Sequence, residues 1–295
     1  MKNTVFTGMA TAIITPMTAA GIDYEALGRL IEFQIENGID AIVVMGTTGE
    51  NATIEPEDQT KVIAYTVEKV AKRVPVIAGT GTNNTEHVLA NTKDACAVGV
   101  DAVLVVTPYY NKATQSGLIQ HFTAVADTAT VPVIMYNVPG RTGCNLLPKT
   151  VAKLAEHPNI VAIKEASGNI SQIAELAALT RGKLDIYSGN DDQIVPILSL
   201  GGKGVISVLS NPLPRATSEM CHKFLNGDIE GSLKMQLDLL PLVNALFCEV
   251  NPIPVKAAMA AMGFCENSVR LPLTKMEADH EAKLLSLMRE QGLSV

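Results

Sequence analysis

Blocks of basic residues are absent from this chain. Its 23 lysines and arginines are outnumbered by 30 acidic residues, the net charge is −7, and aromatic residues, with no tryptophan among them, make up 4% of the sequence. Binding a polyanion needs clustered positive charge interleaved with aromatic platforms, so the composition speaks against nucleic acid as a partner. A membrane-spanning stretch is missing too. The opening Met-Lys-Asn-Thr-Val-Phe-Thr-Gly-Met-Ala-Thr-Ala-Ile-Ile-Thr-Pro carries one lysine and then Thr, Gly and Pro inside its apolar portion. That pattern fits neither a secretory leader nor a spanning helix, and a cytoplasmic protein with no membrane partner is expected.

Other familiar devices are lacking as well. The five cysteines, Cys96, Cys144, Cys221, Cys248 and Cys265, form no Cys-x-x-Cys pair and read as reduced thiols packed like small apolar residues. The five histidines, His87, His121, His157, His222 and His280, show no metal-ligand spacing. Neither Gly79-Thr80-Gly81 nor Gly201-Gly202-Lys203-Gly204 matches a phosphate loop, and the second stands before an apolar run rather than after one. An enzyme working without metal or cofactor is the expectation.

What the chain does have is hydrophobic mass and rhythm. With 47% hydrophobic and 18% charged residues over 295 positions, it can bury one barrel-sized domain plus an appendage. Eight apolar runs are closed, at or near their ends, by Gly, Pro, Asn or Thr: 9–16, 40–46, 74–81, 102–110, 131–140, 160–167, 184–191 and 204–211. Segments of helical spacing lie between them, among them 23–37, 56–72, 84–98 and 170–180, with start signals at Asp23, at Glu55 before Pro56, and at Asn169. Eight consecutive strand–helix units predict a closed (β/α)8 TIM barrel over residues 1–225. An open doubly wound sheet is the alternative, although it normally uses fewer units. From residue 226 to 295 the pattern is helical, with starts near Ile229, Ile253 and Glu277, and this region is read as a small C-terminal α-helical domain.

In such a barrel the chemistry sits where strands end in carboxyl-terminal loops. The sixth run, Ile160-Val161-Ala162-Ile163-Lys164-Glu165-Ala166-Ser167, delivers a lysine to that rim. Burial disfavours an ammonium, and the neutral amine it leaves can attack a ketone to form a Schiff base. From a reference pKa of about 10.4, half-neutrality near pH 7 requires a shift of roughly three units, about 4 kcal/mol. A lysine that snorkels to solvent is the plainer alternative. Glu165, its chain neighbour, would point to the opposite face. Gly46-Thr47-Thr48-Gly49 could cradle a carboxylate, or could be an ordinary turn. Tyr136 ends the fifth run and needs a partner for its phenol; Thr47, Tyr109 and Tyr110 are candidates for a proton relay. Arg141, after Pro139-Gly140, offers a planar clamp for a carboxylate, or a surface ion pair. Asp191-Asp192, following Gly189-Asn190, argue against a phosphorylated substrate.

Five motifs in order, Gly46-Thr47-Thr48-Gly49-Glu50, Tyr109-Tyr110, Tyr136 to Gly143, the Lys164 strand and Asn251-Pro252-Ile253-Pro254-Val255-Lys256, resemble the dihydrodipicolinate synthase family over essentially the whole chain. The resemblance implies a class I, Schiff-base lyase that condenses pyruvate with aspartate 4-semialdehyde to 4-hydroxy-tetrahydrodipicolinate, on the route to diaminopimelate and lysine. By position it makes Lys164 the imine-forming amine and Tyr136 the proton donor and acceptor. Thr47 and Tyr110 would complete the relay, with Tyr110 reaching in from a neighbouring subunit. Thr48 would hold the pyruvate carboxylate, Ile206 would contact pyruvate through its backbone, Arg141 would hold the semialdehyde carboxylate, and Gly189 would line the pocket. The resemblance also implies a homo-oligomer, commonly a tetramer built as a dimer of dimers. Lysine-inhibited relatives carry two histidines and a glutamate where this chain has Pro56, Gln59 and His87, while Asn83 and Tyr109 are kept, so weak or absent feedback by lysine is expected.

Two rival readings stand beside this one. Another Schiff-base pyruvate aldolase, such as N-acetylneuraminate lyase or a keto-deoxy-sugar acid aldolase, would share the lysine and tyrosine but is expected to lack the Pro-Gly-Arg-Thr-Gly turn and the 251–256 motif. A ligand-binding barrel without chemistry would share the fold alone.

Overall fold

In a computed structural model, which describes residues 3–295, each of the eight apolar runs holds one short strand, the first of them starting one residue ahead of its run. In chain order these are β1 (Gly8–Ala12), β2 (Ala41–Val44), β3 (Val76–Gly79), β4 (Ala102–Val106), β5 (Val133–Asn137), β6 (Ile160–Glu165), β7 (Asp185–Ser188) and β8 (Gly204–Ser207). All eight pair in parallel with their sequence neighbours, and β1 pairs with both β2 and β8, so the sheet closes into a barrel. The chain is a (β/α)8 TIM barrel, as predicted. The first two residues of the amino-terminal segment lie outside the described range.

The runs are longer than the strands because their ends turn into polar rim loops. The first run also continues into a feature the spacing did not predict, a two-residue antiparallel hairpin of Met17–Thr18 and Gly21–Ile22. Around the sheet run α1 (Tyr24–Glu36), α2 (Pro56–Val70), α3 (Thr85–Ala97), α4 (Gln115–Thr128), α5 (Pro148–Leu154), α6 (Ile170–Thr180), α7 (Ile194–Ser199) and α8 (Pro214–Leu225). Two of the three start signals cap as expected: Asp23 accepts from the Ala26 N–H, and Asn169 from the Gln172 N–H. Glu55 makes no side-chain cap, and the helix relies on Pro56 in its first turn.

Strand residues alternate between two apolar layers. One set, including Ile42, Val103, Met135 and Ile163, packs outward against the helices. The other, including Ala10, Ala41, Leu104, Ile134, Tyr136, Ala162 and Ile206, fills the interior. Phe6 stacks on Tyr187 there with ring centroids 4.2 Å apart, and the Tyr187 hydroxyl donates to the Phe6 carbonyl at 2.6 Å. The glycines of Gly79-Thr80-Gly81 answer to packing: a Cβ on Gly79 would meet the Met45 carbonyl at 2.2 Å, and one on Gly81 the Val106 amide at 2.4 Å.

Three further helices follow, α9 (Ile229–Leu246), α10 (Ile253–Ala261) and α11 (Ala278–Glu290). Helix α9 packs on α8, and α11 packs on both α9 and α10. Among the described residues, no helix is long and apolar enough to cross a membrane.

Candidate active site

The alternation of β6 decides the fate of its lysine. Ala162 faces the interior and Ile163 the helices, so Lys164 faces inward and Glu165 outward. Lys164 is 6% exposed and forms no ion pair with any described residue. Its Nζ lies over the ring of Tyr136, its register partner on β5, at 4.5 Å from the centroid. Burial pulls its pKa down to about 8, with Arg141 pushing the same way and the carboxylate of Asp191 resisting. The direction is the one asked for above, and the Asp191 carboxylate is the group that works against it. At pH 7 about one amine in ten is neutral and nucleophilic. Glu165 goes to other work: it accepts from the Ser167 N–H at 2.7 Å and from Asn137 Nδ2 at 3.1 and 3.2 Å.

Tyr136 ends the same interior row on β5. Burial raises its phenol above the ordinary range, while the Arg141 charge and a hydrogen bond with Thr47 oppose that shift. Of the three partners proposed for this phenol, Thr47 is the one the fold delivers. Thr47 belongs to the tight turn after β2, flanked by Met45 and Glu50, both with left-handed φ, at 55° and 57°. Such backbone is disfavoured for residues with side chains and clusters at functional sites. Two of the turn's amides are consumed internally, Gly49 N–H donating to the Gly46 carbonyl and Glu50 N–H to the Thr47 carbonyl, both at 3.1 Å. The turn is therefore less of an anion cradle than its sequence suggested, and what it offers is hydroxyls.

Arg141 sits in a single helical turn, Pro139–Thr142, at the end of β5. It is exposed, and its Nη2 donates to the Asn251 carbonyl at 3.2 Å. A cavity of about 810 Å³ opens at this rim, lined by Thr47, Tyr136 and Arg141 and, further out, by Asn83, His87 and Tyr109. Lys164 itself does not line this cavity; its Nζ packs over the ring of Tyr136, which forms part of the wall. Thr48 is buried, and its hydroxyl accepts from Asn251 Nδ2 at 3.0 Å. Gly189 lies against the lysine stem: a Cβ there would stand 3.1 Å from both Cγ and Cε of Lys164 and 2.6 Å from the Ala166 Cβ. Ile206 turns its side chain into the barrel interior. Tyr110 stands apart from these groups, 88% exposed, outside the cavity of its own chain, with a left-handed φ of 71°.

Three groups make contacts at the site that the residue-level reading did not anticipate, Asp191 having been read there only as an argument against a phosphorylated substrate. Asp191 is buried, its Oδ2 accepting from the Val208 and Leu209 N–H groups at 3.0 and 2.9 Å, and its pKa is raised by that burial. Glu50 and Lys256 form an ion pair sealed from solvent. A lysine between Val255 and Ala257 in an otherwise apolar helix was the available signal for that pair. Nothing in the sequence pointed Asn251 at Thr48, because 203 positions separate them. No cluster of three or more His, Cys, Asp or Glu suited to a metal occurs among the described residues.

Fold and rim chemistry together place the chain among the (β/α)8 barrel enzymes, whose reacting groups gather at the carboxyl ends of the strands. Within that class it belongs to the Dihydrodipicolinate synthetase family, whose sequence model matches residues 5–291. It is 56% identical over 291 residues to the 4-hydroxy-tetrahydrodipicolinate synthase of Lachnoclostridium phytofermentans, covering 98% of this chain and 99% of the relative. The crystal structure of dihydrodipicolinate synthase from Thermotoga maritima superposes with a TM-score of 0.97 at 44% identity, over 98% of this chain and 100% of that one. The chloride-inhibited enzyme from Acinetobacter baumannii, complexed with pyruvate, gives a TM-score of 0.96 at 43% identity, with coverage of 98% and 100%.

Proposed function

We propose that this protein is a 4-hydroxy-tetrahydrodipicolinate synthase, condensing pyruvate with L-aspartate 4-semialdehyde in lysine and diaminopimelate biosynthesis. The observation that carries the reading is Lys164: an amine with no acidic partner, buried under a phenol, at the barrel rim, with its pKa drawn down to about 8. In its neutral form Nζ attacks the pyruvate ketone carbon. The resulting carbinolamine loses water to a protonated imine, and both the proton added to the departing oxygen and the proton removed from nitrogen need a carrier. Tyr136, bonded to Thr47, supplies that carrier within reach of Nζ. Loss of a proton from the imine's methyl carbon gives an enamine, whose carbon attacks the aldehyde of the second substrate. The semialdehyde's amine then displaces Nζ, closing the ring and freeing Lys164.

Thr48 holds the pyruvate carboxylate, Arg141 the semialdehyde carboxylate, and Gly189 leaves room beside the lysine stem, where a Cβ would crowd Ala166. The Ile206 backbone completes the pyruvate contact. We also assign Tyr110 to a partner's relay, its exposure and left-handed backbone suiting a residue held out from its own chain for another. Assembly, as a homotetramer built from dimers, then belongs to the mechanism. We further divide the chain into the barrel, 1–225, and a helical domain, 226–295, and place the protein in the cytoplasm with the metabolites it draws on. Borohydride reduction in the presence of pyruvate tests the central step. A reduced pyruvate adduct mapped to Lys164 by mass spectrometry is the expected result, and an unmodified lysine overturns the reading.

A further inference from the structure

Asn251, in the turn before α10, reaches from the C-terminal helices into the barrel rim. It is 5% exposed, its Nδ2 donates to Thr48 Oγ1 at 3.0 Å, and its carbonyl accepts from Arg141 Nη2 at 3.2 Å. The residue therefore touches both groups assigned above to substrate carboxylates. Its Oδ1 is buried without a hydrogen-bond partner, so the amide is held in place for its N–H side.

The chemistry of that contact has a direction. A hydroxyl has one proton and two lone pairs, and a carboxylate can only accept. When the Asn251 amide fills a lone pair of the Thr48 oxygen, the hydroxyl proton is left for another acceptor. Thr48 becomes a donor dedicated to an acceptor ligand. The stretch that carries Asn251 is itself tied down five residues later. Lys256 pairs with Glu50 and donates to the Ser268 carbonyl at 2.6 Å. Glu50 Oε2 accepts from the Arg270 N–H at 3.1 Å, and the Arg270 guanidinium reaches the Thr53 carbonyl at 2.8 Å. Glu50 follows Thr48 by two residues in the same turn, so donor and hydroxyl share one frame.

We propose that Asn251 is a positioning residue for the first substrate: it fixes the rotor of the Thr48 hydroxyl so that its proton faces the pyruvate carboxylate. The inference rests on the assignment of Thr48 in the proposed function. The isosteric Asn251→Asp substitution removes the donor and supplies an acceptor, so the Thr48 proton is drawn to position 251 instead of being left for the ligand. We expect the pyruvate KM to rise about 100-fold, with kcat at saturating pyruvate changing far less. Asn251→Ala, which frees the rotor without reversing it, raises KM about tenfold, the scale of one hydrogen bond. A double-mutant cycle with Thr48→Val separates this role from a merely structural one. In the Thr48→Val background the Asp substitution adds less than about threefold to KM, because the hydroxyl it acts through is gone. The same penalty with and without the hydroxyl, or an unchanged pyruvate KM in Asn251→Asp, overturns the proposal. Should Asn251→Asp fail to fold, Asn251→Ala in the same cycle decides the matter. Borohydride trapping on the unsubstituted enzyme keeps the two questions apart: no adduct sinks the lysine chemistry, whereas an adduct with no coupling sinks this inference alone.

Discussion

Two buried lysines stand at the same end of this barrel and have opposite employment. Lys256 is fully enclosed, paired with Glu50 and bonded to the Ser268 carbonyl. Lys164 is nearly as enclosed but has a tyrosine ring for company instead of a carboxylate. Burial lowers both pKa values, and at Lys256 the adjacent Glu50 charge works against that fall. The difference teaches that depth alone does not make a lysine reactive. A desolvated ammonium with an anion at contact distance is a structural tie, and one without is a nucleophile in waiting.

The comparison breaks most sharply under one substitution made twice. Lys164→Met abolishes turnover and the borohydride adduct, yet stabilises the fold. Below pH 8 the native state holds a buried ammonium that the unfolded chain carries freely, and the gap from 10.5 to about 8 corresponds to at most about 3 kcal/mol. That penalty fades as pH climbs from 8 towards 10.5, so the stability gain on substitution is largest at neutral pH and below. Lys256→Met strands the Glu50 carboxylate and destabilises by about 3–5 kcal/mol. Denaturant unfolding at pH 7 and pH 10 reads both signs, and a loss of stability in Lys164→Met would erase the distinction between the two sites. Next in size, Tyr136→Phe removes the proton carrier and lowers kcat by about 10²–10⁴-fold. The lysine and its adduct remain, formed more slowly in stopped-flow measurements.

Arg141→Ala raises the KM for the aldehyde substrate roughly 10–100-fold while the pyruvate KM moves little, which steady-state kinetics with each substrate varied will show. Asp191→Asn sharpens the contrast from the other side. Removing the one carboxylate that supports the Lys164 charge shifts the rise of imine formation with pH, centred near 8 in the native enzyme, to lower pH. A profile of trapping rate against pH measures the displacement. The smallest effect expected is that of free lysine. Gln59, one of the replaced positions, has its amide committed to the carbonyls of Asn51 and Ile54 at 2.8 and 2.7 Å, and His87 cannot pair with an ammonium as a carboxylate would. Millimolar lysine should leave most of the activity in a dose–response assay.

The barrel was legible because a parallel strand buried on both faces must be apolar throughout, and eight such runs punctuated by turn residues leave few other architectures. Lys164, Tyr136 and Arg141 could be picked out because each is a polar residue at the point where an apolar run stops. Asn251, Asp191 and the Glu50–Lys256 pair were harder to see. Their meaning lies in partners far along the chain, and no local pattern marks an asparagine that will meet Thr48 or an aspartate whose field will reach Lys164. The balance of effects on the lysine was only half legible for the same reason: desolvation follows from an apolar strand, whereas the opposing carboxylate of Asp191 arrives from the turn after β7.

The stacked Phe6 and Tyr187 rings fill part of the barrel interior, and under the proposed mechanism both reactants reach Lys164 from the rim. Under that mechanism the keto acid joined to Lys164 is covered by the reactant that follows it, and the water shed in forming the first bond departs beforehand.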